Sequence, residues 1–527
     1  MAILNVDNVA EIGIIKDTPE YELPINAWTD GKNVRFIDNK VEKIKGWEAV
    51  YDPPSVAPYF ALPVQVQSNY YWFYASLTDI YGVDNAGSHA EISQAATTYS
   101  ATADLNWNGG VMAGGVVVLN NGVETPQQWT GTALTDLFTD LQAWPSGMVA
   151  RVVRPYKNYL VATDIDEGSG RDSTLLRWSH PAEPSATPIS WDYTDPNYDC
   201  GRVPIGERGE SIIDQAQLRD ANLIYKENSV WSMQWVGGNN IFAFRRIFDN
   251  VGALSRRCVQ PFFGRHLVFA TDNVVIHDGQ SVDEIFHRRW KKWLFAQIDG
   301  TNYERSYVTV NHSDSEVWCC FPETGYTFPN KALVWNWKNN TVCPIDLPNS
   351  TGHIEWGIID EQTPETFDTS TGTFNTESGI FDEQVFSGAV RDLMICDTGN
   401  TKLFRFGQTE THNGSNFTAY IERDYLPLGR QGSNGPAIDV NVYKFVRQII
   451  PRINGTTGGV VKIYVGRRER LEDTIAWEGP FNYTIGTSHK IDCRVSGRII
   501  SIRFESNTAI TWDLTGYAID YDIGGIR

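Results

Sequence analysis

The chain has 527 residues, a formal net charge of −20 and 41% hydrophobic residues, including 18 Trp, 23 Tyr and 24 Phe. That length exceeds what one hydrophobic core supports, and the charge excludes a sequence-specific DNA binder, which would cluster Lys and Arg. Five Met beside 45 Gly and 24 Pro favour strands and tight turns, and no apolar run reaches the roughly eighteen residues of a membrane span, so no membrane insertion is expected. The start, Met1-Ala2-Ile3-Leu4-Asn5-Val6-Asp7, has neither the basic nor the apolar stretch of a signal peptide. Synthesis and folding in a cytoplasm are therefore expected.

The first clear element is a hairpin. Trp28-x-Asp30-Gly31-x-Asn33-Val34-Arg35-Phe36 is followed by Val41-Glu42-Lys43-Ile44-x-Gly46-Trp47, with Asp38-Asn39 between them. Asp and Asn tolerate the positive φ of a two-residue turn. That register sets Phe36 opposite Val41 and Arg35 opposite Glu42, each pair contributing roughly 0.2–1 kcal/mol.

From about 56 to 410, aromatic-rich strands alternate with polar turns, as at Tyr70–Tyr74, Leu175–Trp178, Val230–Trp235, Val274–Gly279, Leu333–Trp337 and Leu403–Phe406. The last four centre near residues 231, 275, 335 and 404. Such a return suits four-stranded propeller blades with unequal loops; a β-sandwich series would be spaced similarly. Within this region, Asp283–Phe295 has helical spacing, with Phe286, Trp290 and Trp293 as an apolar stripe. Its cations Arg288, Arg289, Lys291 and Lys292 are candidates to meet DNA phosphate or an acidic neighbouring subunit, and the chain's acidity favours the subunit. A seven-residue repeat at 367–382 predicts successive turns, each pinned by one Phe. Its Asp368-x-Ser370-x-Gly372 starts like a calcium loop but lacks the closing Glu.

After about 411 a Gly/Pro-rich linker (428–436) precedes alternating strands at Val446–Ile453, Val460–Val465 and Arg498–Phe504. Apolar and polar positions then alternate from Trp512 to Ile523, interrupted at Gly516, the pattern of a closing strand with one buried face. The expected fold is all-β: a β-propeller of six or seven blades over 56–410, and a sandwich-like domain over 411–527 joined by the hairpin segment 1–55.

Motifs of catalysis are not found. The sequence has no G-x-x-x-x-G-K-[ST], no H-E-x-x-H and no G-x-S-x-G, and its nine His are scattered singly. Seven Cys (200, 258, 319, 320, 343, 396, 493) show no metal-type spacing and read as small packed thiols. No enzyme activity, cofactor or metal is expected.

The two ends carry a resemblance. The closing Trp512-x-Leu514-x-Gly516-Tyr517-x-Ile519-Asp520-Tyr521-x-x-Gly524-Gly525-x-Arg527 and the opening hairpin are similar to the terminal signatures of the tail hub or nozzle proteins of short-tailed bacteriophages, the packaged-DNA stabilisation proteins. The resemblance implies a virion tail protein, assembled in the bacterial host cytoplasm as a hexameric ring below the portal adaptor. It further implies contacts with a tail fibre, spike or needle, and non-specific passage of double-stranded DNA. Trp28, Asp30, Gly31, Asn33, Arg35, Phe36, Gly516, Tyr517 and Asp520 would then serve fold and assembly. The competing expectation is a propeller that binds or cleaves host glycans, such as a sialidase-like tail enzyme, using exposed aromatics and paired carboxylates.

Overall fold

The structure, a computed structural model, describes residues 2–206, 209–238, 240–359, 391–426, 428–432, 435–438 and 442–526. The seven-residue repeat at 367–382 lies outside the described residues. Among those described, the chain is all-β apart from one short helix, Lys291–Gln297, and two single 3-10 turns. It divides into two compact units.

One unit comprises Ala49–Gly252 and Ser350–Arg405. It contains four successive four-stranded antiparallel meanders, at 60–91, 108–140, 149–204 and 212–249. A further sheet contains Thr351–Ile358, Arg391–Asp397 and Lys402–Phe406, and Val50 N–H donates to Leu403 O (2.9 Å) along its outer edge. A late sheet is thus closed by early chain, which runs directly on into the first meander.

The cores of this unit lie between sheets. In Asn69–Ala75, Tyr71, Phe73 and Ala75 point into the core shared with the 108–140 sheet. Trp72 and Tyr74 point the opposite way, into the core shared with the 351–406 sheet. The next boundary repeats the rule: Leu160 and Ala162 pack toward 108–140, Tyr159 and Val161 toward 212–249. Alternate residues face opposite sides of a strand, so a sheet covered on both faces needs a continuous apolar run. Tyr-Tyr-Trp-Phe-Tyr-Ala is such a run.

The other unit comprises Met1–Glu48, Ala253–Asn349 and Phe406–Arg527. Two more four-stranded meanders occur at 259–284 and 307–346. Two larger sheets accompany them. A six-stranded one holds Ala2–Val6, Val34–Ile37, Lys40–Lys43, Trp512–Ile526, Val442–Gly455 and Ile491–Gly497. A five-stranded one holds Asp30–Lys32, Ala419–Arg423, Ile499–Ser506, Val460–Arg468 and Ala476–Thr484. The 428–436 linker contributes a small hairpin, Gly429–Gly432 with Gly435–Ile438.

The strands near 231, 275, 335 and 404 are each the third strand of their sheet, so the irregular spacing was in phase. The hairpin register also agrees: Phe36 faces Val41, Arg35 faces Glu42, and Asp38 and Asn39 have φ of 49° and 60°. All seven Cys are buried and no disulfide joins them.

The helix expected over 283–295 is corrected. Val282–Glu284 is an edge strand paired with the strand before it, Arg288 sits at φ 57°, and helix forms only over Lys291–Gln297. The edge of the 259–284 sheet claims the first residues, and a left-handed residue stops any helix there.

Phe73 meets Trp129 edge-on with ring centroids 4.9 Å apart, deep between two sheets. Phe73→Ala is expected to cost about 3–5 kcal/mol in urea denaturation, whereas Ile3→Ser, at a residue 52% exposed, should stay within about 0.5 kcal/mol of the parent.

Candidate functional site

The two terminal signatures meet in the unit that contains both chain ends. The closing strand Trp512–Ile526 pairs along one edge with Val442–Gly455. Its other edge is shared: Lys40–Lys43 pairs at Leu514 and Asp513, then Ala2–Val6 pairs from Tyr517 to Tyr521. Gly516 stands at the changeover, where the register against Val442–Gly455 also shifts. A Cβ there would lie 2.8 Å from Val6 O and 2.8 Å from Arg452 Nη2, so the backbones come too close for a side chain.

Beside this glycine the Tyr517 ring lies 6.1 Å from Trp28 and 5.4 Å from Phe504, and Trp28 meets Phe504 at 6.3 Å and 84°. All three are buried; such ring pairs contribute about 0.5–1.5 kcal/mol each beyond their burial. The indole Nε1 of Trp28 donates to Val9 O (2.6 Å). Burial pushes the Tyr517 hydroxyl well above its ordinary pKa, against the pull of Arg423, so it stays neutral. Asp520 is also buried and accepts from Arg447 Nη2 (2.6 Å) and Gln448 Nε2 (3.1 Å).

The opening signature spends its polar groups on distant strands. Asn33 is fully buried at φ 57°. Its Nδ2 donates to Asp346 Oδ2 (2.9 Å) and Thr418 O (2.8 Å), and its Oδ1 accepts from Asp346 N–H (2.8 Å). Asn is one of the few residues that both tolerates that backbone and supplies donor and acceptor. Arg35 reaches past Glu42 to Asp314 (2.8 Å) and Glu316 (2.7 Å), although both lie far away in sequence. Burial alone would lower the Arg35 pKa; these carboxylates outweigh it and raise it. Burial, and after it the neighbouring Asp314 carboxylate, pull the Glu316 pKa upward, while Arg35 pulls it down. Asp30 holds Lys16 (2.6 Å), Phe36 is buried and its carbonyl accepts from Asn339 Nδ2 (2.8 Å). A Cβ on Gly31 would come within 2.8 Å of both Ile421 and Ile14.

The second half of the motif makes a denser contact. Lys43 is buried and donates to Thr508 O (2.7 Å) and Glu410 O (3.2 Å), with its Nζ 4.3 Å over the Phe417 ring. Burial pulls its pKa down to about 8, with Glu410 opposing. A Cβ on Gly46 would overlap Thr411 O at 1.8 Å. Next to it the His412 ring is stacked between Trp47 (3.4 Å) and Phe417 (3.9 Å). Burial pulls His412 down to about 3, so it is neutral near pH 7.

The basic segment separates into different roles. Arg289 donates to Asn340 O (2.9 Å) and Ile12 O (2.7 Å), and burial lowers its pKa. It is a brace for backbone carbonyls. Arg288 and Lys292 are exposed, and Lys291 is half-buried 4.0 Å from Asp272. The early segment 12–18 crosses this region: Lys16 N–H donates to Arg289 O, Trp290 Nε1 donates to Ile14 O, and Asp17 accepts from Lys292 N–H (2.7 Å) and Trp293 N–H (3.1 Å). Asp17 thus caps the helix from outside it, a partnership no local pattern could reveal.

Beside Asp30 lies a cleft of about 410 Å³ lined by Lys16, Asp17, Glu20, Thr29, Glu422 and Asp424 among others. Its carboxylates are engaged: Asp30 by Lys16, Asp17 by the helix N–H groups, Glu422 by Arg503 (2.8 Å), Asp424 by Arg468 (2.7 Å) and Glu20 by Arg468 (3.5 Å). Among the described residues no group of three or more His, Cys, Asp or Glu could hold a metal ion. This arrangement is a joint that fastens the chain's ends to its later strands. Asp17, Glu316, Asp346 and His412 belong to it and were not singled out from sequence, since each acts on a residue hundreds of positions away.

No family model matches the chain, and no curated protein matches it. Among solved structures it is similar to PorZ, an essential bacterial surface component of the type-IX secretion system of Porphyromonas gingivalis, at 10% identity and TM-score 0.36, covering 74% of this chain and 43% of that one. It is similar to the extracellular domain of a putative hybrid two-component system of B. thetaiotaomicron at 9% identity and TM-score 0.32, covering 53% of this chain and 39% of that one. The CNH domain of AfRom2 shows 7% identity and TM-score 0.32, covering 58% of this chain and 89% of that one. The chain spans less than half the length of the first two, and likenesses of this size carry no functional argument.

Two outcomes test the joint. Asn33→Gly keeps the left-handed backbone but loses the side-chain bonds, and is expected to cost about 1–3 kcal/mol in chemical denaturation; Asn33→Ala should cost about 1 kcal/mol more. His412 gives a pH signature. Above about pH 6.5 it is neutral folded or unfolded; below that only the unfolded chain takes up the proton, until the folded value near 3 is reached. The stability advantage of the parent over His412→Phe should therefore shrink as pH falls, by up to about 1.4 kcal/mol per unit. A difference that stays constant with pH would mean His412 is not held neutral.

Proposed function

We propose that this chain is a structural virion protein: the tail hub or nozzle of a short-tailed bacteriophage, which retains packaged DNA and forms the channel for its ejection. The observation that carries the reading is the meeting of the two terminal signatures in one buried joint, with Trp28 and Tyr517 in ring contact and the closing strand shared between Ala2–Val6 and Lys40–Lys43. Signature residues placed there serve fold and assembly, as the resemblance implies.

In this reading the four-stranded sheets are blades of a β-propeller. Seven sheets of four strands occur among the described residues, and five of them lie in the unit of Ala49–Gly252 and Ser350–Arg405, where successive sheets pack face to face, which supports the assignment. The six- and five-stranded sheets would form the sandwich-like platform that the opening hairpin enters.

The proposed mechanism is packing and gating. Copies assemble as a hexameric ring below the portal adaptor, with head-to-tail contacts, because only these close into a ring. A tail fibre, spike or needle protein completes the tail. A chain of net charge −20 offers DNA no adhesive wall, although salt screens that field beyond about 8 Å. Double-stranded DNA would slide past without sequence-specific contact.

Immunogold labelling of intact and DNA-emptied particles tests this. Label on the tail axis in both is expected. Label on peripheral fibres would transfer the chain to glycan recognition, and absence of label from particles would remove the virion assignment.

A further inference from the structure

Three neighbouring hairpin turns in the unit containing both chain ends expose an aromatic cluster that the joint does not use. Phe263 lies on the turn between Val259–Phe262 and Arg265–Phe269, His312 between Tyr307–Asn311 and Glu316–Phe321, and Trp337 between Lys331–Asn336 and Thr341–Asp346. Phe263 is 72% exposed. Its ring sits 5.5 Å from Trp337 at 70° and 5.9 Å from His312 at 83°, with Phe262 buried beneath.

The placement is unfavourable by itself. Phe263 and Gly264 are the two central residues of a tight turn, with φ of 43° and 70°. Asn or Asp is the ordinary first residue there, and a bulky side chain at positive φ is strained. A large apolar ring is therefore held on a strained turn and in water, and neither feature stabilises the fold.

The charge around it is equally unlike the rest of the chain. Arg265 and Lys338, next in sequence to Gly264 and Trp337, are exposed, and the carboxylate of Asp314, on the turn that carries His312, is held by Arg35 (2.8 Å). A cationic, aromatic tip thus stands on a chain whose formal charge is −20. Aromatic residues and Arg are the groups enriched at protein interfaces, and opposite charge sets partner choice.

We propose that Phe263, Trp337 and His312, with Arg265 and Lys338, form a contact knob that seats on an acidic face of a second copy of this chain. The proposal rests on the ring reading above and supplies one side of its head-to-tail contact. Edge-to-face rings suit insertion into a protein surface better than the parallel platform on which a sugar or an unstacked base lies. Duplex DNA buries its base faces and offers this tip only phosphate.

The test is the concentration dependence of assembly of the full chain, read by sedimentation velocity and mass photometry, for the parent, Phe263→Asn and the pair Arg265→Glu with Lys338→Glu. Asn suits the positive φ, so Phe263→Asn should melt at or slightly above the parent temperature. Both variants are expected to need at least tenfold more protein for half-assembly, and added salt should weaken the parent. A parent that assembles while both variants assemble at the same concentration overturns the knob and leaves the ring standing. A parent that remains a monomer throughout overturns the ring and the knob with it. Unchanged assembly with lost retention of a labelled DNA duplex would overturn the proposal in favour of a nucleic-acid contact.

Discussion

A closing strand has two edges to satisfy, and the unit that contains it is organised around how that is done for Trp512–Ile526. One edge is taken by Val442–Gly455, while the other is divided between a hairpin strand and the first residues of the chain. Unpaired backbone groups buried at that edge would each be costly, so the opening and closing segments must be in place together. Gly516 marks the division because the carbonyl of Val6 approaches too closely for any side chain. The ring cluster of Trp28, Phe504 and Tyr517 fills the space behind it.

Polar groups, more than apolar ones, give this joint its specificity. Apolar surfaces alone would hold the hairpin in several neighbouring registers. Asn33, Arg35, Lys43 and Asp520 remove that freedom, since each buried group finds its partners in a single arrangement. The other unit works differently. There the sheets associate through continuous apolar faces, with aromatics such as Trp72, Phe73, Trp129 and Trp178 filling the spaces between them. The early chain at Val50 then closes the last sheet. Both units use the same device at different scales: a segment from early in the sequence completes a sheet made from late residues.

What was legible in the sequence follows from this. The hairpin register could be read because Asp38-Asn39 fixes it locally, and the strands near 231, 275, 335 and 404 could be read because each is an apolar run bounded by polar turns. The helix over 283–295 was overextended because its first residues satisfy helical spacing while their backbone is claimed by a neighbouring strand. Arg35 was paired with Glu42 across the hairpin, yet its ion pairs lie with Asp314 and Glu316. Cross-strand neighbours are visible in sequence; partners brought in by tertiary packing are not. The same limit hid Asp17, whose carboxylate caps a helix 275 residues away. Asn33 carried a signal only as an Asn in a turn-prone position, and its burial against Asp346 and Thr418 emerges only in three dimensions.

The shared edges of Trp512–Ile526 make one cooperative joint of the chain's opening segments and its closing strand. Amide hydrogen exchange of the full chain, read by mass spectrometry at peptide resolution, measures this directly. Leu4–Val6, Val41–Glu42 and Leu514–Tyr521 are expected to share one high protection level and to lose it together as denaturant is added. Rapid exchange at Leu4–Val6 and Val41–Glu42 beside lasting protection at 514–521 would contradict it, because the closing strand would then be stable without the segments said to complete it.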